Sequence, residues 1–191
     1  MKKYVKVSLI LGGITFVCAV LIAIMNLLTA KIIDNNEKKL IQNTYTSIYD
    51  NYSYNEVREF NDSTGYIKQK VEAFDKDGNS LGFIYQVYGK NSYGTISLMV
   101  GITNLEVVDV EFLINTESFA STVNSHLKEN YPSSNEKVIL ISPYEKESSN
   151  DIDPLTKEDI SNIDTACGAT YGATLVKSLV EAALNEAKGV E

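Results

Sequence analysis

Two threonines and several small residues form a motif near the end of the chain, Asp164-Thr-Ala-Cys-Gly-Ala-Thr170-Tyr-Gly-Ala-Thr174. From Leu175 onward, apolar residues recur at the spacing of one helical face. Thr170 is therefore predicted just before, or in, the first turn of a helix. That position offers unpaired backbone N–H groups and the positive end of the helix dipole, which suit a phosphate group. Gly168 and Ala169 leave room for a bulky group to approach the backbone.

A second interpretation of Thr170 needs no ligand. Ser and Thr are common helix N-caps, and Gly and Ala suit a tight turn ahead of a helix. Spacing alone leaves both interpretations open, a threonine that carries or binds a group and a threonine that caps the helix.

The rest of the chain lacks the side chains that several common enzyme classes need. His126 is the only histidine, which argues against most zinc sites and most Ser-His or Cys-His nucleophilic pairs. The two cysteines are Cys18, in an apolar run, and Cys167, so no disulfide framework is expected. We therefore predict neither a metal site nor hydrolytic chemistry.

The elements that must position the motif form a β-rich core followed by helices. Runs of β-branched and aromatic residues, separated by turn residues, predict four antiparallel strands at residues 70–74, 81–88, 93–100 and 107–114. The later elements are predicted as a helix at 119–131, a short strand at 138–141, and a surface loop at 143–162 with one helical turn near 156–159.

The N-terminus predicts a membrane anchor. Residues 7–29 are 23 residues without a charge, which at about 1.5 Å per residue span a hydrocarbon core of about 30 Å. A signal peptide has a shorter apolar core, and no Ala-x-Ala cleavage site follows this run. Lys2, Lys3 and Lys6 precede it, so we expect a cytoplasmic N-terminus and an outer location for everything after residue 30.

The predicted organisation is one anchor and one domain. Loosely helical spacing from residue 31 to about 60 predicts that the anchor helix continues outward. The predicted parts are a membrane anchor at 1–30, a helical juxtamembrane segment at 31–69 and one domain at 70–191. The predicted fold class is α+β, with an N-terminal transmembrane helix followed by an extracytoplasmic domain that contains an antiparallel β-meander and flanking helices.

The charge of the outer part narrows the range of partners. All 25 acidic residues lie beyond the anchor, with 14 of the 17 basic ones, which gives a formal charge of −11 (14 minus 25). Such a surface argues against nucleic acid and against anionic lipid as a partner. It suits a solvated face next to a membrane.

The motif at Asp164–Thr170 resembles the flavinylation signature Asp-x-x-Ser/Thr-Gly-Ala-Thr of the FMN-binding domain family. That family includes the G subunit of Rnf complexes and the C subunit of sodium-pumping quinone reductases, and its last Thr carries FMN through a phosphoester bond made by a separate flavin transferase. The resemblance implies FMN on Thr170, with Asp164, Cys167, Gly168 and Ala169 beside it; Cys167 stands where the family has Ser or Thr. Thr174 ranks second, because no acidic residue lies six positions before it.

The meander carries a second part of the resemblance. Its pieces occur in the family's order, as Gly82, Tyr93-Gly-Thr-Ile96, Val100-Gly-Ile102 and Thr116-Glu117. The likeness covers roughly residues 70 to 187, plus the anchor, and implies that Tyr93, Gly94, Thr116 and Glu117 lie near the flavin. An interpretation without a ligand also stays open. In it, Tyr93 and Gly94 form a tight start of a strand, and Thr116 and Glu117 form the polar end of a strand. Ser118-Phe-Ala-Ser121 replaces the family's Pro-Gly-Leu-Gly turn.

The resemblance is strongest to the Rnf G subunit. It implies a membrane-anchored electron-transfer subunit of an ion-translocating oxidoreductase complex, rather than a self-sufficient enzyme. The implied partners are the other subunits of that complex and a flavin transferase, not nucleic acid. Two alternatives stay open, a stand-alone extracellular electron-transfer flavoprotein and a cofactor-free anchored binding module.

Overall fold

The computed structural model describes residues 2–49, 53–133 and 152–189. The chain forms two compact units, Met1–Ile41 and Gln42–Glu191. The second unit therefore begins within the segment that the sequence predicted as a juxtamembrane helix.

Helix α1, Lys2–Tyr49, contains the predicted anchor. One stretch of it is long and apolar enough to cross a membrane, with a mean hydropathy of 2.7. Large apolar side chains in this stretch, such as Leu9, Phe16 and Leu27, are more than 70% exposed. Exposure of such side chains to water is unfavourable, whereas exposure to lipid is not.

An antiparallel sheet forms the body of the second unit. Its five strands pair in chain order, so the sheet is a meander. The strands are β1 (Ser53–Val57), β2 (Ile67–Phe74), β3 (Ser80–Lys90), β4 (Thr95–Thr103) and β5 (Glu106–Asn115). The predicted α+β class and the predicted antiparallel meander are confirmed, and each of the four predicted strands is present.

Strand β1 shows that the prediction of a helix to about residue 60 was wrong. Helix α1 ends at Tyr49, and the pairing with β2 runs from Ser53 opposite Phe74 to Val57 opposite Lys70. Four of the five β1 residues are exposed, so no alternation of apolar and polar residues marks the strand. The segment is extended because the edge of β2 offers it backbone hydrogen bonds.

Two tight turns connect the central strands. Gly78, between β2 and β3, has a positive φ of 83°, which glycine adopts readily. Between β4 and β5, Asn104 and Leu105 have φ values of 53° and 66°, the type I′ geometry that suits a two-residue hairpin. Strand β4 therefore continues through Thr103, three residues beyond the predicted end of the strand at residue 100.

Three described helices follow the sheet in the chain, α2 (Ala120–Asn130), α3 (Lys157–Asn162) and α4 (Thr170–Ala187). Helix α4 packs on the sheet with its predicted apolar face, and Val176 and Leu179 are fully buried. Gly89 of β3 allows a close approach, because a Cβ there would lie 2.7 Å from Leu175 Cδ1. The main core lies between this helix and the sheet.

The end of α1 packs on the sheet within the same compact unit. Tyr45 and Ile48 are buried there, and a Cβ on Gly101 of β4 would lie 2.5 Å from Ile48 Cγ2. The Tyr45 hydroxyl donates a hydrogen bond to Gln69 Oε1 at 3.1 Å. The last turns of α1 are thus part of the second compact unit.

The segment before the motif is described only in part. The predicted strand at 138–141 and the predicted loop as far as residue 151 lie outside the described residues. From residue 152 the chain is irregular until α3, which confirms the predicted helical turn. A capping box begins α3: the Thr156 hydroxyl accepts a hydrogen bond from the Asp159 N–H, and the Asp159 carboxylate accepts one from the Thr156 N–H.

We expect Asp62, in the loop between β1 and β2, to make the stability sensitive to acid. Partial burial opposes its ionisation, but hydrogen bonds from the Thr64 hydroxyl and from the N–H groups of Ile67, Thr64 and Gly65 outweigh burial and lower its pKa. A lowered pKa in the folded state stabilises the protein above the unfolded-state value of about 3.9, and this contribution is lost as pH falls through the folded-state pKa.

The variant Asp62→Asn tests this expectation. Thermal unfolding of both proteins in detergent, between about pH 2.5 and 7, should show a smaller acid-induced decrease in Tm for the variant. Identical decreases in the two proteins would contradict the assignment.

Candidate functional site

The motif ending at Thr170 forms the loop between α3 and α4, residues 163–169, called the motif loop below. The Asp164 carboxylate accepts a hydrogen bond from the Ala166 N–H at 2.8 Å, which turns the chain at the start of the loop. Thr170 is the first residue of α4 and is exposed. Its hydroxyl donates a hydrogen bond to the Cys167 carbonyl at 2.7 Å. The threonine therefore lies at a helix N-terminus on the surface, as the spacing predicted.

The capping interpretation of Thr170 is wrong. Ala169 is the N-cap residue of α4, and it makes no side-chain capping hydrogen bond. The Ala173 N–H bonds to the Ala169 carbonyl at 3.0 Å, so the helix supplies no acceptors for the N–H groups of Thr170, Tyr171 and Gly172. These groups and the helix dipole favour a negatively charged group beside Thr170.

A pocket of about 250 Å³ opens beside this threonine. The residues of this Thr170 pocket are Tyr93, Glu117, Phe119, Gly168, Ala169, Thr170, Tyr171 and Gly172. Five of them were predicted as cofactor-binding residues, namely Tyr93, Glu117, Gly168, Ala169 and Thr170. The fold thus brings together the turn before β4, the segment after β5 and the start of α4.

Three exposed aromatic side chains, Tyr93, Phe119 and Tyr171, form an aromatic rim around the pocket. The rings of Tyr93 and Tyr171 lie 5.2 Å apart, centroid to centroid, and Phe119 and Tyr171 are 57% and 67% exposed. Exposed apolar groups clustered at one place are typical of binding surfaces. Sequence reasoning missed Phe119 and Tyr171 as residues of the pocket. The available signal was that Tyr171 directly follows the predicted attachment residue.

Glu117 brings a carboxylate to the pocket. It is 7% exposed, and its Oε1 accepts a hydrogen bond from the Asn91 side-chain amide. The Asn91 Oδ1 accepts hydrogen bonds from the N–H groups of Tyr93 and Gly94 at 2.7 and 3.1 Å. A Cβ on Gly94 would lie 2.6 Å from Glu117 Cα. The Tyr93–Gly94 turn and Glu117 therefore form one closely packed, hydrogen-bonded unit.

Thr116 and Cys167, both predicted site residues, support the pocket without lining it. The Thr116 hydroxyl accepts a hydrogen bond from the Thr95 N–H at 2.9 Å, which joins the end of β5 to the start of β4. The Cys167 Sγ accepts a hydrogen bond from the Ala169 N–H at 3.4 Å within the motif loop. Both contacts hold backbone that borders the pocket.

Thr174 lies one helical turn after Thr170 and does not line the pocket. Its hydroxyl donates a hydrogen bond to the Thr165 hydroxyl at 3.2 Å. This contact joins α4 to the motif loop. The geometry therefore favours Thr170 over Thr174 as a residue that carries a group in the pocket.

The arrangement can hold a group but has few means to activate its own hydroxyl. The Thr170 hydroxyl donates its hydrogen bond to the backbone carbonyl of Cys167, which is not a general base. Across residues 2–49, 53–133 and 152–189, no group of three or more His, Cys, Asp or Glu side chains could hold a metal ion.

Together these features define an α+β protein with an N-terminal helix long and apolar enough to cross a membrane, in which an exposed threonine at a helix N-terminus lies beside an aromatic pocket. A family model described as the RnfG N-terminal region matches residues 1–48. The N-terminal region of the chain is thus RnfG-like, which supports an RnfG-like subunit located at a membrane. No curated protein matches the chain.

The family match and the candidate site occupy different parts of the chain. The match ends at residue 48, whereas the pocket is built from residues 93–172. The RnfG-like character of the anchor and the geometry at Thr170 are therefore separate observations.

Gly172 determines how closely α4 approaches α2. A Cβ at this position would lie 2.5 Å from Val123 Cγ2. We expect Gly172→Ala to cost about 1–3 kcal/mol through overpacking, offset by roughly 1 kcal/mol of helix propensity. Combining it with Val123→Ala should give a favourable coupling energy of about 1 kcal/mol or more, measured by thermal unfolding of all four proteins.

Gly168→Ala is the matched control, because its Cβ would lie at an ordinary 3.7 Å from Thr122 Cγ2. It should show no such coupling with Val123→Ala. Additive effects of Gly172→Ala and Val123→Ala would contradict the close contact between the two helices.

Proposed function

We propose that this protein is a membrane-anchored flavoprotein that carries FMN covalently on Thr170 and transfers electrons as a subunit of an Rnf-like ion-translocating complex. The observation that carries the proposal is the exposed Thr170 hydroxyl, at the first turn of α4 and beside an aromatic pocket. The RnfG-like N-terminal region supports the choice of complex. The other subunits of that complex are the proposed partners.

The surroundings of Thr170 suit the phosphate of FMN. The N–H groups of the first turn and the helix dipole both favour a phosphate ester at this position. In the attachment reaction, a flavin transferase joins Thr170 Oγ1 to the FMN phosphorus of FAD. The pyrophosphate bond of FAD breaks, AMP leaves, and the hydroxyl proton passes to a base of the transferase.

The aromatic rim suits the flavin ring system. Tyr93, Phe119 and Tyr171 expose apolar faces next to the attachment residue, and Glu117 offers a hydrogen-bond acceptor. Bound FMN supplies the electron-transfer chemistry, while the protein supplies position and electrostatics. The Glu117 carboxylate and the acidic outer unit disfavour extra negative charge on the ring, so they lower its reduction potential.

We infer that the outer unit lies outside the cytoplasm. Lys2, Lys3 and Lys6 precede the apolar run, and basic residues flanking a membrane helix remain on the cytoplasmic side. A covalent bond has a clear benefit at this location, because a flavin that dissociated outside the cell would be diluted and lost.

Fluorescence of the protein band in a denaturing gel tests the attachment. The full chain, produced together with a flavin transferase, should give a fluorescent band that survives denaturation. Thr170→Ala should abolish the signal because it removes the attacking oxygen, whereas Thr174→Ala should keep it. Cys167→Ser restores the family residue and should not reduce labelling.

Two outcomes would contradict the proposal. A fluorescent Thr170→Ala protein would move the attachment to another residue, with Thr174 examined next. An unlabelled parent chain, beside a known substrate that the same transferase labels, would remove the covalent flavin altogether.

A further inference from the structure

The only histidine of the chain contacts the motif loop from a neighbouring helix. His126 lies in α2 and is 6% exposed. Its Nε2 is 2.8 Å from the Asp164 carbonyl oxygen. Because a carbonyl oxygen only accepts hydrogen bonds, Nε2 carries a proton and donates it to Asp164.

A cationic side chain holds the same stretch of backbone from the other side. The Lys177 ammonium of α4 donates hydrogen bonds to the carbonyls of Ser161 at 2.7 Å and Ile163 at 3.0 Å. Together with His126, it binds the carbonyls of Ser161, Ile163 and Asp164. Side chains of both α2 and α4 therefore make hydrogen bonds to the backbone at the start of the motif loop.

His126 also connects the two sides of the Thr170 pocket. Helix α2 begins directly after Phe119, which belongs to the aromatic rim. The motif loop ends at Ala169, directly before Thr170, and both residues line the pocket. The hydrogen bond from His126 to the Asp164 carbonyl therefore joins the helix that follows Phe119 to the loop that precedes Thr170.

Core packing alone does not account for a histidine at this position. The second ring nitrogen, Nδ1, is buried and has no hydrogen-bond partner among the described residues. An unpaired buried nitrogen is unfavourable, and an apolar side chain would fill the same space without that cost. The bond from Nε2 to Asp164 is the feature that an apolar side chain could not replace.

We propose that His126 is a positioning residue for flavin attachment, which holds the motif loop in the conformation that the flavin transferase modifies. It acts through the Asp164 backbone and does not take part in the chemistry at Thr170. This inference rests on the proposed function, since it assigns His126 a role in modifying that same site.

Three substitutions separate the hydrogen bond from the packing. In His126→Gln the side-chain amide nitrogen can take the place of Nε2, so the bond to Asp164 is kept. In His126→Asn the shorter side chain places its amide nitrogen near the position of Nδ1, so the bond is lost. His126→Leu keeps the bulk and removes the donor.

The full chain is purified in detergent from cells without a flavin transferase, and two quantities are measured on each variant. The first is amide hydrogen exchange in residues 164–170 of the flavin-free protein. The second is the rate of labelling by added transferase and FAD, read as fluorescence in a denaturing gel. We expect the Asn and Leu variants to exchange faster and to be labelled more slowly, each by about tenfold, the equivalent of one hydrogen bond. The Gln variant should stay close to the parent.

The possible results discriminate between the two proposals. Equal exchange and equal labelling rates in the parent, Gln and Asn proteins would overturn the role of His126, and this comparison holds even if His126→Leu fails to fold. A labelled parent with an equally labelled Asn variant would overturn this inference alone. The transferase would then not depend on the hydrogen bond from His126 to the motif loop. A parent that is not labelled at all would overturn the proposed function and, with it, this role in attachment.

Discussion

The packing of the apolar face of α4 on the sheet is the contact on which the rest of the site depends. Val176 and Leu179 are fully buried, and burial of an aliphatic side chain of this size stabilises the fold by about 1.5–3 kcal/mol. Gly89 lets the helix approach the sheet, since a side chain there would collide with Leu175. Because α4 begins at Thr170, the same contact determines where the hydroxyl and the free N–H groups of the first turn lie.

The site combines an exposed apolar rim with a nearly buried carboxylate. The aromatic rim leaves apolar surface in water, and Glu117 is a nearly buried carboxylate beside the pocket. The Asn91 amide and the nearby start of α4 stabilise that carboxylate. The FMN that we propose has a phosphate at one end and a flat ring at the other, and would be complementary to the helix N-terminus and to the rim. Covalent attachment of such a group would cover the exposed rings permanently.

The second compact unit includes residues that the sequence assigned to the connection with the membrane. Its boundary is at Gln42, and Tyr45 and Ile48 of α1 are buried against the sheet. A cut at residue 70 would remove this cover, delete β1 and divide β2. The last turns of α1 therefore have two roles: they continue the RnfG-like N-terminal region and complete the core of the unit that holds the site.

The sequence by itself determined the elements that a pattern in their own residues marks. These are the uncharged anchor run, the four strands β2 to β5, α2, and α4 with Thr170 at its start. Only the tertiary structure decided the elements that depend on a distant partner. Strand β1 is mostly exposed and is extended because β2 offers hydrogen bonds, and Phe119 reaches the pocket because the segment after β5 meets the start of α4. The physical reason is that hydrophobic periodicity and turn chemistry act between near neighbours, whereas edge pairing and pocket assembly depend on contacts between residues far apart in the chain.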